Sequence, residues 1–417
     1  MNIGHEEIDI KKTSWEEMLF LVVFGAWLLI LNLSLTNVTK LFPYKKLLLC
    51  VNYAVFFLLV FHLIRNRHMK LSNWVWIIVF LLVSLISGRE SGVVYIFPTT
   101  ALIVAGRNMD YKKVFRVYIA IAPCVLAVAA FCATRKMIPS TIIEGERQRY
   151  ALGYTYVSFA SHIVLFLTLS YIAIRKRIHI WELAILGIAN YVIYQFTDTR
   201  VSFYIAVLIL GLTLICRTIP EYVDKQITIR NQKVSRVFQV LFAAVPGTIC
   251  IVSYLLHWFY DENSQLWVML NNWLSTRLAL GHQALLHMQH TLFGQEIVWK
   301  EVAKAIGDGN YFYVDNFYMH YELKQGIIYL LLILIGYTCV MWKAYEKKNV
   351  GIILGMIGIL LFGIMDPETA DLRFQPFVLL IGWMMGDEET AENVDGNTDE
   401  VEEKAEDEEN SNKVMEV

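Results

Sequence analysis

Residues 19–35, LFLVVFGAWLLILNLSL, decide the fold class: an unbroken apolar run with no charged side chain. A helix needs roughly 20 such residues to cross a bilayer, and fewer where neighbouring helices shield its ends. Similar runs recur along the 417 residues, at 47–64, 74–88, 93–106, 114–133, 154–174, 181–196, 201–216, 237–256, 326–342, 350–365 and 374–386. The reading is an all-α polytopic membrane protein of about twelve spans, with one large extracytoplasmic loop containing short amphipathic helices. The segments at 74–88, 93–106, 181–196 and 374–386 are short and read as candidates for re-entrant or broken helices, shielded by protein.

Composition agrees with that reading. Apolar residues make up 56% of the chain and charged residues only 18%, with a mean hydropathy of +0.47. A soluble protein of this size needs more charge to cover its surface. The net charge of −2 conceals an asymmetry, because the stretch from Asp387 to Val417 carries 14 acidic and 2 basic side chains, a charge of −12, which leaves +10 on residues 1–386. So acidic a stretch has too little apolar content to build a core and reads as a disordered tail. Four parts follow: spans one to nine with short links (1–256), the long loop (257–324), spans ten to twelve (325–386) and the tail (387–417). The six cysteines lie in or at the edges of spans and read as apolar packing residues. The first span follows a mixed-charge segment rather than a basic one and reads as a retained helix, not a cleaved signal.

Lysine and arginine orient the chain, because short basic loops stay in the cytoplasm. With a cytoplasmic N-terminus, Arg65, Arg67 and Lys70, then Arg107, Lys112 and Lys113, then Arg175, Lys176 and Arg177 fall inside. So do the stretch from Arg217 to Arg236 and the cluster Lys343, Lys347 and Lys348. The links 36–46, 89–92, 134–153, 197–200, 257–324 and 366–373 then face outward, and the C-terminus is cytoplasmic.

Polar residues at the outward ends carry the chemistry. IIEGERQRYALGY (142–154) sets Glu144, Glu146, Arg147 and Arg149 before an apolar helix, on the side where arginines are unexpected. The planar guanidinium fork matches phosphate oxygens. TDTR (197–200) pins Asp198 and Arg200 near the membrane plane. In SQLWVMLNNWLSTRLALGHQALLHMQHTLF (264–293) a leucine-rich stripe at helical spacing points to an amphipathic helix lying on the membrane or roofing a cavity, with Arg277 beside the stripe. His282, His287 and His290 occur in the same stretch, but no acidic residue lies between Asn263 and Phe293 to complete a metal site. YVDNFYMHYELKQGII (313–328) crowds Asp315, Asn316, Tyr318, His320 and Glu322 at the mouth of a span. Asp315, His320 and Glu322 are each candidate bases for a hydroxyl.

In this order, RQRYALGY, TDTR, STRLALGHQALL with LFGQ, and DNFYMHYELKQGII resemble the Wzy-type polysaccharide polymerases of the O-antigen polymerase and ligase superfamily, in the form found in capsule and exopolysaccharide pathways. The resemblance runs from about Arg147 to Trp383. It implies a bacterial plasma-membrane glycosyltransferase that moves a growing glycan from polyprenyl diphosphate to the next lipid-linked repeat unit on the outer face. It also implies no cofactor, no essential metal and no nucleic-acid partner; the substrate is a polyprenyl-diphosphate-linked oligosaccharide, with membrane lipid, a chain-length regulator and a flippase as partners. Arg147, Arg149, Arg200 and Arg277 would hold the diphosphate. Asp315 or His320 would be the catalytic base, supported by Asp198, Asn316, Tyr318 and Glu322. Where the ligase branch has His-Asn this chain has Asp315 and Asn316, so the sequence leaves the base open. The link DPETADLR, with Glu368 and Arg373, is a further candidate wall. A ligase differs only in acceptor, while a flippase or secondary transporter calls for internal repeats and ionisable residues near the middle of several spans; here no repeat of fixed period is present, the span interiors are mostly uncharged and the polar residues collect at the outer ends.

Overall fold

The structure is a computed structural model that describes residues 14–140, 142–143, 148–176, 178–218, 232–306 and 312–385. Arg147, Glu144, Glu146 and the acidic tail lie outside the described residues. Among the described residues the chain is all-α, apart from a two-residue antiparallel pair, Ile142–Ile143 with Arg149–Tyr150.

Six helices are long and apolar enough to cross a membrane: α1 (Trp15–Ser34), α2 (Tyr44–Arg65), α3 (Leu71–Ser91), α5 (Tyr111–Thr134), α9 (Gln232–Trp258) and α14 (Ile327–Glu346). Between them lie α4 (Ile96–Ala105), α6 (Phe159–Ile174), α7 (Ile180–Thr197), α8 (Arg200–Thr218) and α15 (Val350–Phe362). Phe57, Leu82, Ile188, Leu241 and Leu331 are exposed on these helices. Such an apolar exterior needs lipid, so the chain is a multi-pass membrane protein. Every expected span but the last coincides with a helix of ten residues or more. The segment at 74–88, expected to be short, is in fact the 21-residue α3. The last, 374–386, contains only a 3-10 turn and the five-residue α16 (Leu380–Met384), because Gln375 and Pro376 interrupt the helix.

Local chemistry sets the helix limits. Ser14 caps α1 by accepting from the Glu17 amide at 3.2 Å, and Asn349 caps α15 through the Ile352 amide at 3.1 Å. Gly351, Gly355 and Gly358 let α15 press on α6 and Phe377; a Cβ at Gly355 would lie 2.5 Å from the Phe377 ring.

Two sets of contacts define the two ends of the bundle. At one end Lys113 pairs with Glu17 at 2.6 Å, Asn349 donates to Tyr111 at 2.7 Å, and Lys343 donates to the Trp383 carbonyl at 3.2 Å. At the other end the Asn37 amide bonds the Gly153 carbonyl, and Asn32 donates to the Arg373 carbonyl at 2.9 Å. The Tyr118 hydroxyl, on α5, donates to the Phe374 carbonyl. The first helices are thus tied to the last link of the bundle. The second end also carries the long segment 259–316. Among the described residues, the basic links near Arg65, Lys113, Arg175 and Lys347 gather at the first end.

The long segment forms α10 (Gln265–Trp273), α11 (Arg277–His287) and α12 (Trp299–Ile306), followed by α13 (Phe317–Gln325). The expected continuous stripe over 264–293 is broken, because Ser275 and Thr276 both adopt left-handed backbone (φ 57° and 66°). α11 and α12 bury Ala284, Ala303, Phe312, Val314, Met319 and Leu323 in a small core of their own. Two glycines rivet this segment to the α13–α14 junction. Gly294 (φ 94°) and Gly326 (φ 93°) lie back to back, with Ile327 and Ile328 amides donating to the Thr291 and Leu292 carbonyls at 3.1 Å. A Cβ on Gly326 would come within 2.4 Å of the Gly294 nitrogen, so no larger residue fits.

Candidate functional site

Five links meet at the second end. Arg149, in the strand pair before α6, donates from Nε to the Thr197 carbonyl at 2.7 Å and from Nη2 to Thr199 Oγ1 at 3.2 Å, which joins RQRY to TDTR. Arg200 lies 4.0 Å from Asp198, with 44% of its side chain exposed, and Asp198 ends α7 in left-handed backbone. Arg149 is therefore fixed by backbone geometry, while Arg200 is a wet flank.

Arg277 stands at the start of α11, set there by the two left-handed residues before it. Its Nε is 3.3 Å from Asp315 Oδ2 and its Nη2 is 3.8 Å from Asp366 Oδ2. One guanidinium thus bridges the end of the long segment and the 366–373 link. Arg277 and Asp315, singled out separately in the sequence, meet at this point. Burial raises the Asp315 carboxyl above the usual carboxylate range, against the opposing pull of Arg277. Burial also pushes Asp366 up to about 7, with Arg277 opposing and Asp315 adding to the rise. Glu368 is raised further, first by burial and then by Asp366, Asp371 and Asp315. Tyr156 sits within the field of Asp315, Asp366, Arg149 and Arg277, and burial raises its hydroxyl.

The remaining residues singled out in the sequence are placed elsewhere. His320 is buried against the rings of Trp299 and Tyr313 at 5.4 and 5.3 Å, with Nδ1 3.3 Å from the Val314 carbonyl. Burial, helped by Lys324, lowers its imidazole to about 3. Asn316 is a brace: its side chain caps α13 through the Met319 amide and donates to Ser253 Oγ at 2.6 Å and the Ile364 carbonyl at 2.9 Å. Tyr318 donates to the Leu360 carbonyl at 2.9 Å. Glu322 accepts from the Tyr254 hydroxyl and lies 2.7 Å from His290 Nδ1, which pins the long segment to α9. Arg373 is held by Asp371 at 2.5–3.0 Å and by the Tyr95 hydroxyl at 2.9 Å, with its guanidinium 4.2 Å above the Tyr95 ring. It is a clasp for its own link.

His162 and Asp366 were missed. His162 lies in the first turn of α6 and faces two carboxyls of the 366–373 link. A lone imidazole in the apolar stretch SFASHIVLF was the available signal, since an ionisable residue inside an apolar helix is expensive unless used. Among the described residues, His162, Asp366 and Glu368 form a grouping of metal-ligand type. The loop histidines are occupied otherwise: His282 Nδ1 meets the His257 carbonyl at 2.9 Å, and His290 meets Glu322.

No protein-family model matches the chain, and no curated protein matches it. The function is therefore argued from the chemistry of the site.

Proposed function

We propose that this protein is a polymerase of surface polysaccharide, working at the outer face of a bacterial plasma membrane on oligosaccharides linked to polyprenyl diphosphate. All twelve helical segments are then spans or partial spans, and the end carrying Arg277 faces outward. The observation that carries the reading is the Arg277 guanidinium held between Asp315 and Asp366, with Arg149 fixed nearby by Thr197 and Thr199.

The chemistry asks for little else. A hydroxyl oxygen of the acceptor sugar attacks the anomeric carbon of the donor, the bond from that carbon to the diphosphate oxygen breaks, and polyprenyl diphosphate departs. Arg277 and Arg149, with Arg147 from the same RQR run and Arg200 at the rim, stabilise the negative charge on the leaving group. Asp315 takes the hydroxyl proton. It is preferred over His320 because it stands against Arg277, whereas His320 is enclosed by Trp299 and Tyr313. Burial raises the Asp315 carboxyl above the usual carboxylate range, which makes it a better proton acceptor than an exposed aspartate. Positioning supplies the remainder of the rate.

The test replaces Arg277 and Asp315 singly with Ala in the producing strain and reads surface glycan length by gel, with membrane levels of each variant matched. Loss of long chains with single units still displayed supports the reading. Long chains from either well-expressed variant overturn the site, and units trapped on the inner leaflet point to a flippase instead.

A further inference from the structure

The 366–373 link holds polar groups that the proposed transfer leaves without a task. His162 is fully buried, and among the described residues neither of its ring nitrogens has a hydrogen-bond partner. Glu368 Oε2 is in the same condition. Their nearest polar neighbours are one another: His162 Nε2 is 3.6 Å from Asp366 Oδ2, and His162 Nδ1 is 3.8 Å from Glu368 Oε2. These distances are too long for hydrogen bonds. Leaving a buried imidazole and a buried carboxylate oxygen unpaired destabilises the fold. A bound ligand would remove that cost.

The separations suit a metal ion. One donor atom from each of the three residues lies within 4.8 Å of the others. One ion can take only one of the two ring nitrogens, and two donors bound tetrahedrally at the usual 2.0–2.2 Å stand about 3.4 Å apart, so the carboxyl facing the other nitrogen must rotate toward the shared one to close the set. We propose that His162, Asp366 and Glu368 bind a divalent transition-metal cation, of the Mn²⁺ or Zn²⁺ class, at this end of the bundle. One imidazole nitrogen with two carboxylates is a mixed donor set that these ions accept readily, unlike the all-oxygen sets of Ca²⁺. Charge permits it. Arg277 lies 3.8 Å from Asp366, but Asp315 lies closer to that guanidinium and counters it, and Asp371 is occupied by Arg373. Arg149 also acts on His162 and Asp366, so three carboxylates, Asp315 included, stand against two guanidinium groups and the ion, and an anionic ligand in the open position would complete the balance. Three protein donors leave a coordination position for water or for a phosphate oxygen. This inference departs from the expectation that no metal takes part, and it holds or fails independently of the transfer reaction. A proton shared between the Asp366 and Glu368 carboxyls is the rival occupant.

The experiment uses the full chain in detergent, stripped with EDTA and without any glycan substrate. Mn²⁺ is followed by electron paramagnetic resonance and Zn²⁺ by elemental analysis after desalting, alongside thermal unfolding. The expected result is close to one ion per chain and a higher unfolding midpoint, reversed by EDTA. His162→Ala and Glu368→Gln, each checked for monodispersity, should weaken binding at least about tenfold. Wild-type protein that retains neither ion overturns the proposal without using any variant. Binding unchanged in a monodisperse Glu368→Gln or His162→Ala protein places the ion elsewhere and overturns it as well. Glycan length in the Arg277 and Asp315 variants reads the transfer reaction separately.

Discussion

Glu182 and Glu368 are both buried carboxylates in apolar surroundings, at opposite ends of the bundle, and their surroundings differ sharply. Glu182 accepts from the Tyr171 hydroxyl, from Arg175 at 2.6 Å and from the His179 amide, so both oxygens are used in capping α7 and joining it to α6. Glu368 faces His162, Asp366 and the field of Asp315, with one oxygen left over. A group held only for stability has its hydrogen bonds completed within the protein. A group with bonding capacity to spare is arranged for something that arrives from outside. The same contrast separates Arg373, enclosed by Asp371 and Tyr95, from Arg277, shared loosely between two links.

Substitution can break this contrast. Arg277→Ala should produce the largest change, lowering glycan transfer on the order of 100-fold as the cationic contact to the leaving group is lost. The measurement is product formation by purified protein on lipid-linked repeat units. Next in size, Glu182→Ala should destabilise the fold by about 2 kcal/mol, since the Tyr171 hydroxyl and the His179 amide lose their acceptor while Arg175, a third exposed, stays partly solvated. Glu368→Gln measured in EDTA should cost no more than about 1 kcal/mol, because the substitution removes a buried carboxyl that is incompletely satisfied. Thermal unfolding of the two variants, side by side, decides whether the difference in wiring is real.

His320 gives a smaller, pH-dependent effect. Its folded-state value of about 3 lies below the ordinary 6.5, so the neutral form is favoured in the folded chain. The stability it contributes is present above about 6.5 and is lost as the pH falls from there toward 3. His320→Phe should flatten the fall of the unfolding midpoint between pH 7 and 5 relative to wild type. An unchanged slope would mean that the ring is not enclosed by Trp299 and Tyr313. The smallest effect belongs to Arg200→Ala: the exposed pair with Asp198 contributes about 0.5 kcal/mol or less. Transfer should therefore stay within a few-fold of wild type.

How far the sequence carries depends on the range of the signal. Span positions were legible because hydropathy is local, and α1, α2, α5 and α14 fall within a few residues of the apolar runs. The segment 374–386 read as short and open to a break, and Gln375 and Pro376, which precede a 3-10 turn and a five-residue helix, are that break. Arg149 stood out as an arginine on an outward link, Arg277 as a charge beside an apolar stripe and Asp315 as a carboxylate at the mouth of a span, and the structure brings Arg277 and Asp315 into contact. His162 was passed over, because its partners Asp366 and Glu368 come some two hundred residues later in the chain. Nothing in SFASHIVLF announces them. The break at Ser275 and Thr276 is a backbone conformation that side-chain periodicity does not encode.

The ties from Asn32 and Tyr118 to the carbonyls of Arg373 and Phe374 bear on how the protein is made. α1 and α5 are synthesised well before the 366–373 link, so the partners of Asn32 and Tyr118 leave the ribosome after nearly all of the described helices have been inserted. Until then those side chains wait in a half-built bundle, and Arg277 waits for Asp366. Assembly of the site is thus a late event in biogenesis. A ribosome stalled short of the 366–373 link would leave a membrane-inserted chain with neither its closing contacts nor its acidic wall.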